Sequence, residues 1–387
     1  MKFMFQLSDA IRSLYTFLFS TKNGMDTIVM NIETLNTPEA APSGLDSELT
    51  APDALQMMMM QMVTSYWVAQ SIYAAAKLGI ADHLGDRAQS TEVLAQLTAT
   101  DPRSLYRLLR ALSSLGIFVE TEPGWFALTP LATYLQRDQP GSVRDAAIML
   151  GDPEHYASWG NVMHSLRTGE SAFENLYGMN VFQHYAQNPE AAAVFDRAMT
   201  SFSSVENVGV VTGYDFSPIH TLVDVAGGHG SLLAAVLHAN PHLHGILFEQ
   251  PAVVAGAASV LASYGVSDRC QVVEGNFFEA VPTGADAYLL KHIVHDWDDD
   301  RSIEILKQCR RAMTDNGRVL IVEQVIPPGN EPFMGKLLDM NMLVMCPGGR
   351  ERTAAEYEVL LTAAGFKLSR IVPTSTMVSV VEGVAAF

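Results

Sequence analysis

From about residue 220 onward, short apolar runs alternate with amphipathic segments. Runs at 221–225, 244–249, 271–274, 286–290, 318–323 and 376–380 have the length and content of buried strands. Between them, 231–239, 251–264, 301–314 and 353–365 carry helical spacing. Strands and helices in alternation predict a doubly wound α/β sheet. The pattern upstream is different. Residues 55–150 read as apolar and mostly helical. The stretch MMMMQMVTSYWVAQSIYAAAKLGIADHL has too few charges for an exposed helix, so it is expected to be buried in its own core or in a partner. Ser90 is placed to cap the helix beginning at Thr91, and Asp101-Pro102 starts a second one. Gly116 ends that helix, and 117–120 and 125–128 read as a hairpin over Glu122-Pro123-Gly124. Helix, turn, helix and hairpin make a winged helix. Residues 155–215 continue mostly helical. Their aromatic residues (Tyr156, Trp159, Phe173, Tyr177, Phe182, Tyr185, Phe195, Phe202) are expected mainly in packing, with a few free to line a pocket for a flat substrate.

The N-terminus is less regular. Residues 1–19 are apolar enough to raise a signal peptide, but Asp9 and Arg12 interrupt the run and no convincing cleavage site follows closely. They read either as a short amphipathic helix or as an extension ahead of a start at Met25 or Met30. Residues 31–52 are rich in Thr, Pro, Ala and Ser and read as a linker. Four segments follow: an extension and linker over 1–52, a winged-helix domain over 53–150, a helical connector over 151–215, and the sheet domain over 216–387.

Charge narrows the choice of partners. The 387 residues carry 24 basic and 42 acidic side chains, a net −18. Such a surface repels phosphate backbones and anionic membranes, so neither nucleic acid nor a membrane is expected as partner. The helix with Arg103, Arg107 and Arg110 therefore reads as part of a dimerisation and substrate-shaping domain, not a DNA reader. No apolar stretch reaches membrane-spanning length. Cys270, Cys309 and Cys346 are widely spaced, which fits free thiols in a reducing cytoplasm.

The chemistry concentrates at strand ends. Thr221–Pro251 reads TLVDVAGGHGSLLAAVLHANPHLHGILFEQP: an apolar run, the glycines Gly227, Gly228 and Gly230, a helical segment, a second apolar run, and then the acid Glu249. This is the layout of a nucleoside site, with glycines for close backbone approach and an acid for ribose hydroxyls. The third glycine of a dinucleotide fingerprint is missing, since Leu233 stands there. That favours a nucleoside without phosphates, and S-adenosylmethionine is the commonest such cofactor. After the third run, Asn276 and Phe277 stand where a base edge and a base face would lie. After the fourth, Lys291 and His295 are two titratable groups just past a strand tip. Removing a phenol's proton calls for an imidazole, and the imidazole in turn for carboxylates that orient it. Glu323 and Glu351 are the candidates. Asp296, Asp298, Asp299 and Asp300 read as complements to a helix N-terminus, and no metal is expected.

These motifs together resemble the caffeic-acid-type small-molecule O-methyltransferases, a family of plant phenolic and bacterial polyketide-tailoring enzymes. The resemblance runs from about Leu55 to the C-terminus, through LVDVAGGHG, FEQP, GNFF, KHIVHDW, DNGRVLIVEQVIP and PGGRERTAAEYEVLLTAAGF. It implies a homodimer built from a class I methyltransferase (Rossmann-like) sheet and an all-helical winged-helix dimerisation domain. It also implies S-adenosylmethionine as donor and a phenolic hydroxyl of a small aromatic secondary metabolite as acceptor. Some relatives of this architecture methylate nitrogen, decarboxylate or hydroxylate instead. Position by position, the resemblance makes His295 the base and Glu323 and Glu351 its orienting acids. It places Ala226, Gly227, Gly228, Gly230, Glu249, Gln250, Asn276, Phe277 and Lys291 at the cofactor. Phe195, Met199, Phe202, Asn341, Met342 and Cys346 fall in the acceptor pocket. Three positions depart from the family pattern: Ala226 replaces a glycine, Asn276 an aspartate and Cys346 an asparagine. The last argues against carrying over the plant substrates.

Overall fold

The structure is a computed structural model in which residues 51–386 are described; the expectations for the first 50 residues lie outside them. The chain divides into two compact units, Met1–Ile72 and Tyr73–Phe387. Helix α1 (Ala51–Lys77) begins inside the stretch expected to be linker. Leu55, Met57, Met58, Met59, Met60, Met62, Val63, Tyr66 and Trp67 on it are exposed in the single chain. The segment expected to be buried thus divides: Ala75, Ala76, Ile80, Ala81 and Leu84 lie in the chain's own core, and the first part of the helix does not.

In the second unit, α2 (Ile80–Leu84) leads into β1 (Gln89–Ser90), α3 (Thr91–Thr98) and α4 (Pro102–Ser114). The Ser90 hydroxyl accepts from the Val93 amide at 3.3 Å, and the Asp101 carboxylate accepts from the Ser104 amide at 2.8 Å. Both caps stand where the sequence places them. The hairpin β2 (Phe118–Glu122) and β3 (Trp125–Leu128) takes β1 as a third strand, so the helical domain carries one small sheet. Leu94, Leu105, Leu109, Leu112, Phe118 and Phe126 are buried there.

Helices α5 (Arg144–Gly151), α6 (Pro153–Gly160), α7 (Val162–Thr168), α8 (Ala172–Tyr177), α9 (Val181–Gln187) and α10 (Pro189–Gly213) form the connector. The sheet domain follows as β4 (Thr221–Val225), α11 (Ser231–Ala239), β5 (His244–Glu249), α12 (Pro251–Val254), α13 (Ala257–Ser263), β6 (Cys270–Glu274), β7 (Ala287–Lys291), α14 (Asp299–Ala312) and β8 (Arg318–Glu323). It closes with β9 (Val325–Ile326), α15 (Gly335–Met345), β10 (Arg352–Thr353), α16 (Ala354–Ala363), β11 (Phe366–Pro373) and β12 (Ser379–Ala385). The long α10 packs on both α5 and α11, which ties connector and sheet domain into one unit.

Seven strands form the main sheet in the order β11-β12-β8-β7-β4-β5-β6, all parallel except β12. From β4 the chain first builds outward through β5 and β6, then returns to add β7 on the other side. The tip of β4 is thus the switch point, where ligands of doubly wound sheets sit. Helices cover both faces, so Leu222, Val223, Val225 and Val319–Val322 are fully buried and read as continuous apolar runs.

Two details depart from the sequence pattern. The helix expected over 251–264 breaks at Ala255-Gly256, where a Cβ on Gly256 would lie 2.5 Å from the His229 ring. The expected strand at 376–380 is displaced to β12, and its neighbour β11 is a strand the pattern does not single out. Among the described residues no helix is long and apolar enough to cross a membrane.

Candidate active site

The strand tips bring the candidate residues to one edge of the sheet. At the end of β4 the chain turns through Ala226, with φ 56°, and Gly228, with φ 59°. A left-handed alanine costs about 1 kcal/mol of backbone strain, so the departure from glycine at this position is energetic as well as compositional. Gly227 is needed for a different reason. A Cβ there would lie 2.4 Å from Asp224 Oδ2 and 2.7 Å from Leu247 Cδ1. The loop thus lies flat on the sheet. At Gly228 a Cβ would meet nothing within 4 Å, so its other side is open.

Glu249, at the tip of β5, faces this loop. Its carboxylate accepts from the Gly228 amide at 2.9 Å and from the Gln250 amide at 2.7 Å, leaving lone pairs on both oxygens. Burial raises its pKa and the two amides pull it back. Asp224, one strand over, is buried with Oδ2 unpartnered, and burial pushes it up to about 7. Sequence reasoning missed it, although it stands inside the glycine motif.

Beyond β6, the Asn276 amide closes its own turn: the oxygen accepts from the Phe278 amide at 3.0 Å and the nitrogen donates to Glu279 at 3.2 Å. Phe277 is half-buried, with its ring 4.8 Å from Phe278 and 6.3 Å from Trp297. Lys291, at the tip of β7, donates to Ser203 Oγ at 2.8 Å and pairs with Glu206 at 2.8 Å. His292 joins the same Glu206 oxygen at 2.9 Å, from a backbone with φ 54°. Burial would raise the Glu206 pKa, but His292 and Lys291 outweigh it and hold the carboxylate down at about 2. Glu206 was not anticipated. Its signal is that it is the one charged residue from Ala198 to Gly213.

His295 is buried in a short turn after β7, where three carboxylates surround it. Nδ1 lies 2.6 Å from Glu351 Oε1. Glu323 does not touch the ring; its Oε1 accepts from the His295 backbone amide at 3.0 Å, and its other oxygen accepts from the Tyr357 hydroxyl. The two acids divide the work: Glu351 holds the ring and Glu323 holds the backbone. They are brought together because β10, just past Glu351, pairs in parallel with β9, just past Glu323. Nε2 lies 3.6 Å from Asp296 Oδ1. Burial alone would lower the His295 pKa, but Glu351, Asp296 and Glu323 together push it up to about 10.

The turn itself is held by Arg352, whose side chain is fully buried. Its guanidinium donates to the carbonyls of Val294 and Trp297, both at 2.9 Å, and to Asp299 at 2.8 and 3.1 Å. Asp298 caps α14 by accepting from the Arg301 amide at 2.8 Å, with Asp299 and Asp300 in its first turn, as the helix-terminus reading has it; Asp296 departs from that reading and lies against His295.

The acceptor-pocket candidates fall mostly in two apolar groups. Met342 and Cys346 cluster with Phe173, Val181 and Met345, while Phe195 and Met199 pack against Ala146, Met149 and Ala198. Tyr185 joins the two groups: it packs on the first, and its ring lies 4.7 Å from Phe195. The Cys346 thiol reaches Asp296 Oδ1 at 3.5 Å, which connects the first group to the histidine. Asn341 accepts from Trp159 Nε1 and from His155 Nε2, both at 2.9 Å. Phe202 is 41% exposed and joins neither cluster.

Comparison with known proteins assigns the arrangement. Residues 159–367 match the O-methyltransferase domain model, and residues 60–138 the O-methyltransferase dimerisation domain model. The chain belongs to the O-methyltransferase family. A phenazine O-methyltransferase of Lysobacter antibioticus is 48% identical over 85% of this chain and 96% of that protein. An 8-amino-8-demethylriboflavin N,N-dimethyltransferase of Streptomyces davaonensis is 36% identical over 81% of this chain and 91% of its own. A solved O-methyltransferase from neocarzinostatin biosynthesis, in complex with S-adenosylmethionine and 2-hydroxy-5-methyl naphthoic acid, superposes with a TM-score of 0.72. It is 31% identical, covering 82% of this chain and 96% of that one. This O-methyltransferase therefore has the class I sheet and takes its methyl group from S-adenosylmethionine. The residues present fit that donor, with a glycine loop open on one side and a tip carboxylate with free lone pairs.

Proposed function

We propose that this O-methyltransferase methylates a hydroxyl on a small aromatic natural product, with His295 as the base that takes the hydroxyl's proton. The observation that carries this reading is the 2.6 Å contact between His295 Nδ1 and Glu351, which holds one proton on Nδ1 and keeps Nε2 as the atom that exchanges a proton with the acceptor. S-adenosylmethionine supplies a methyl group on a positively charged sulfur and departs as the neutral thioether S-adenosylhomocysteine. Glu249 and the loop of Ala226, Gly227, Gly228 and Gly230 would hold its nucleoside, with Gln250, Asn276, Phe277 and Lys291 around it. As the acceptor oxygen gains the methyl carbon it loses its proton to Nε2, and Glu351 and Asp296 stabilise the imidazolium that results. Burial lowers the proton affinity of the ring, and Glu351, Asp296 and Glu323 outweigh it, which brings the imidazole towards a phenol, with its pKa near ~10. The walls of Phe195, Tyr185, Met199, Met342 and Cys346 suit a flat ring. A second copy of the chain is the proposed cover for the exposed face of α1.

The raised pKa has a consequence for rate. At neutral pH His295 holds its second proton before the acceptor arrives, and the reacting pair needs one proton fewer. Turnover of β-naphthol to its methyl ether is therefore expected to climb with pH, by about tenfold per unit below the His295 pKa. Mass spectrometry of the product across a buffer series measures this. No methyl ether would sink the proposed reaction, and a plateau already reached below neutrality would sink the raised base.

The donor site gives a separate expectation. Glu249→Ala removes one or two charge-assisted hydrogen bonds, each contributing about 1.5–3 kcal/mol. Affinity for S-adenosylhomocysteine should fall at least tenfold by calorimetry; an unchanged affinity would remove Glu249 from the site.

A further inference from the structure

Asn341 points to a feature of the acceptor that the proposed reaction does not specify. It stands on α15 with Leu338, Met342 and Met345 at helical spacing, one turn before Cys346, whose thiol touches Asp296 beside His295. Its side-chain oxygen receives two hydrogen bonds at 2.9 Å, from Trp159 and from His155. An indole nitrogen can only donate, so the atom facing Trp159 is the oxygen, and the amide cannot be turned round. His155 meets that same oxygen, which fixes its proton on Nε2, and burial holds the ring in its neutral form. Two anchors from α6 thus immobilise the amide and leave its NH₂ group with one role, that of donor. Among the described residues this nitrogen has no hydrogen-bond partner, and it is not among the sealed polar atoms.

We infer that Asn341 selects acceptors carrying, away from the reacting hydroxyl, an uncharged hydrogen-bond acceptor such as a ring nitrogen or a carbonyl oxygen. This rests on the acceptor reading given above and adds a substrate class to it. The donor is neutral, and the charges acting on its neighbours are negative. Asp152, Glu154 and Asp196 act on Tyr185, and Asp296, Glu351 and Glu174 act on Cys346. A carboxylate held at Asn341 would meet that field with a neutral donor as its partner, whereas a pyridine-type nitrogen or a carbonyl brings no charge into it.

The experiment compares β-naphthol with hydroxyquinolines, which replace one ring carbon by nitrogen, and with hydroxynaphthoic acids. Binding to the enzyme loaded with S-adenosylhomocysteine is measured by calorimetry, beside methylation with S-adenosylmethionine. One hydrogen bond corresponds to about tenfold in affinity, so the hydroxyquinoline whose nitrogen reaches Asn341 should bind about tenfold tighter than β-naphthol. Hydroxynaphthoates should bind more weakly than β-naphthol. Asn341→Asp keeps both anchors, since a carboxylate oxygen still accepts from Trp159 and His155, but presents an acceptor in place of the donor. The preference, read within each variant as the ratio of hydroxyquinoline to β-naphthol affinity, should vanish in Asn341→Asp and likewise in Asn341→Leu. The inference is overturned if no hydroxyquinoline is preferred, if the preference survives in Asn341→Asp, or if a naphthoate binds best. Methylation of β-naphthol tests the proposed reaction by itself, so the two ideas fail separately.

Discussion

His295→Ala is expected to lower kcat on a phenol by about two orders of magnitude or more, with affinity for S-adenosylmethionine unchanged. The reason lies in what the ring touches. Its Nδ1 is bound to Glu351 and its Nε2 side is bordered by Asp296, and neither partner belongs to the glycine loop at the tip of β4. Without the imidazole, no positioned group takes the acceptor's proton and no imidazolium stands beside the ionised oxygen. Glu351→Gln should also reduce kcat, because it removes the negative charge beside Nδ1 and so lowers the proton affinity of the ring. Its loss should not add to that of His295→Ala, since both act through one proton. Single-turnover kinetics beside a calorimetric Kd separates the two effects. A parallel loss of donor affinity would mean that the histidine supports the fold of the cleft and not its chemistry.

Arg352→Met should have the largest effect on stability among single changes near the site. The guanidinium satisfies the carbonyls of Val294 and Trp297, which bracket His295 and Asp296 in the chain, and methionine fills the space without donating. The carbonyls keep only longer contacts, from the Ser302 hydroxyl at 3.2 and 3.4 Å and from the Trp297 amide to Val294 at 3.4 Å, and a buried carbonyl short of its main partner costs about 1–3 kcal/mol. The Asp299 pair adds little, because that carboxylate is half exposed. A loss of about 3 kcal/mol in denaturant unfolding is expected, together with lower kcat, because the turn that sets the imidazole loses its clamp. Arg352→Lys should recover only part of either quantity, since an ammonium cannot reproduce the planar fork. A stability change below about 1 kcal/mol would show that other contacts hold the turn.

The sequence made the strand tips legible, and with them most of the site. Glycines after one apolar run, Glu249 after the next and His295 after the fourth are local signals, because a parallel sheet aligns the ends of its strands at one edge. Charge and edge position hid other parts. The run FKLSRIVP of β11 carries Lys367, Ser369 and Arg370 on an outer strand, so it lacks the apolar continuity of β4 or β8. The break at Gly256 depends on the His229 ring, which arrives from the glycine loop. Partners made by tertiary packing were also out of reach. Glu206 meets Lys291 and His292 across more than 80 residues, and Arg352 meets the His295 turn across more than 50. Glu323 and Glu351 were expected to act alike on the imidazole. Only the pairing of β9 with β10 sends one acid to the ring and the other to the backbone.

The central claim is that His295 removes a proton, and the most direct measurement compares an acceptor that needs this with one that does not. Thionaphthol is largely ionised at mildly alkaline pH, whereas β-naphthol of the same shape is not. Turnover of both is measured for the wild-type enzyme and for His295→Ala under the same conditions. The account predicts that the variant loses about a hundredfold or more on β-naphthol and much less on thionaphthol. Equal losses on the two acceptors, or no loss on either, would contradict it.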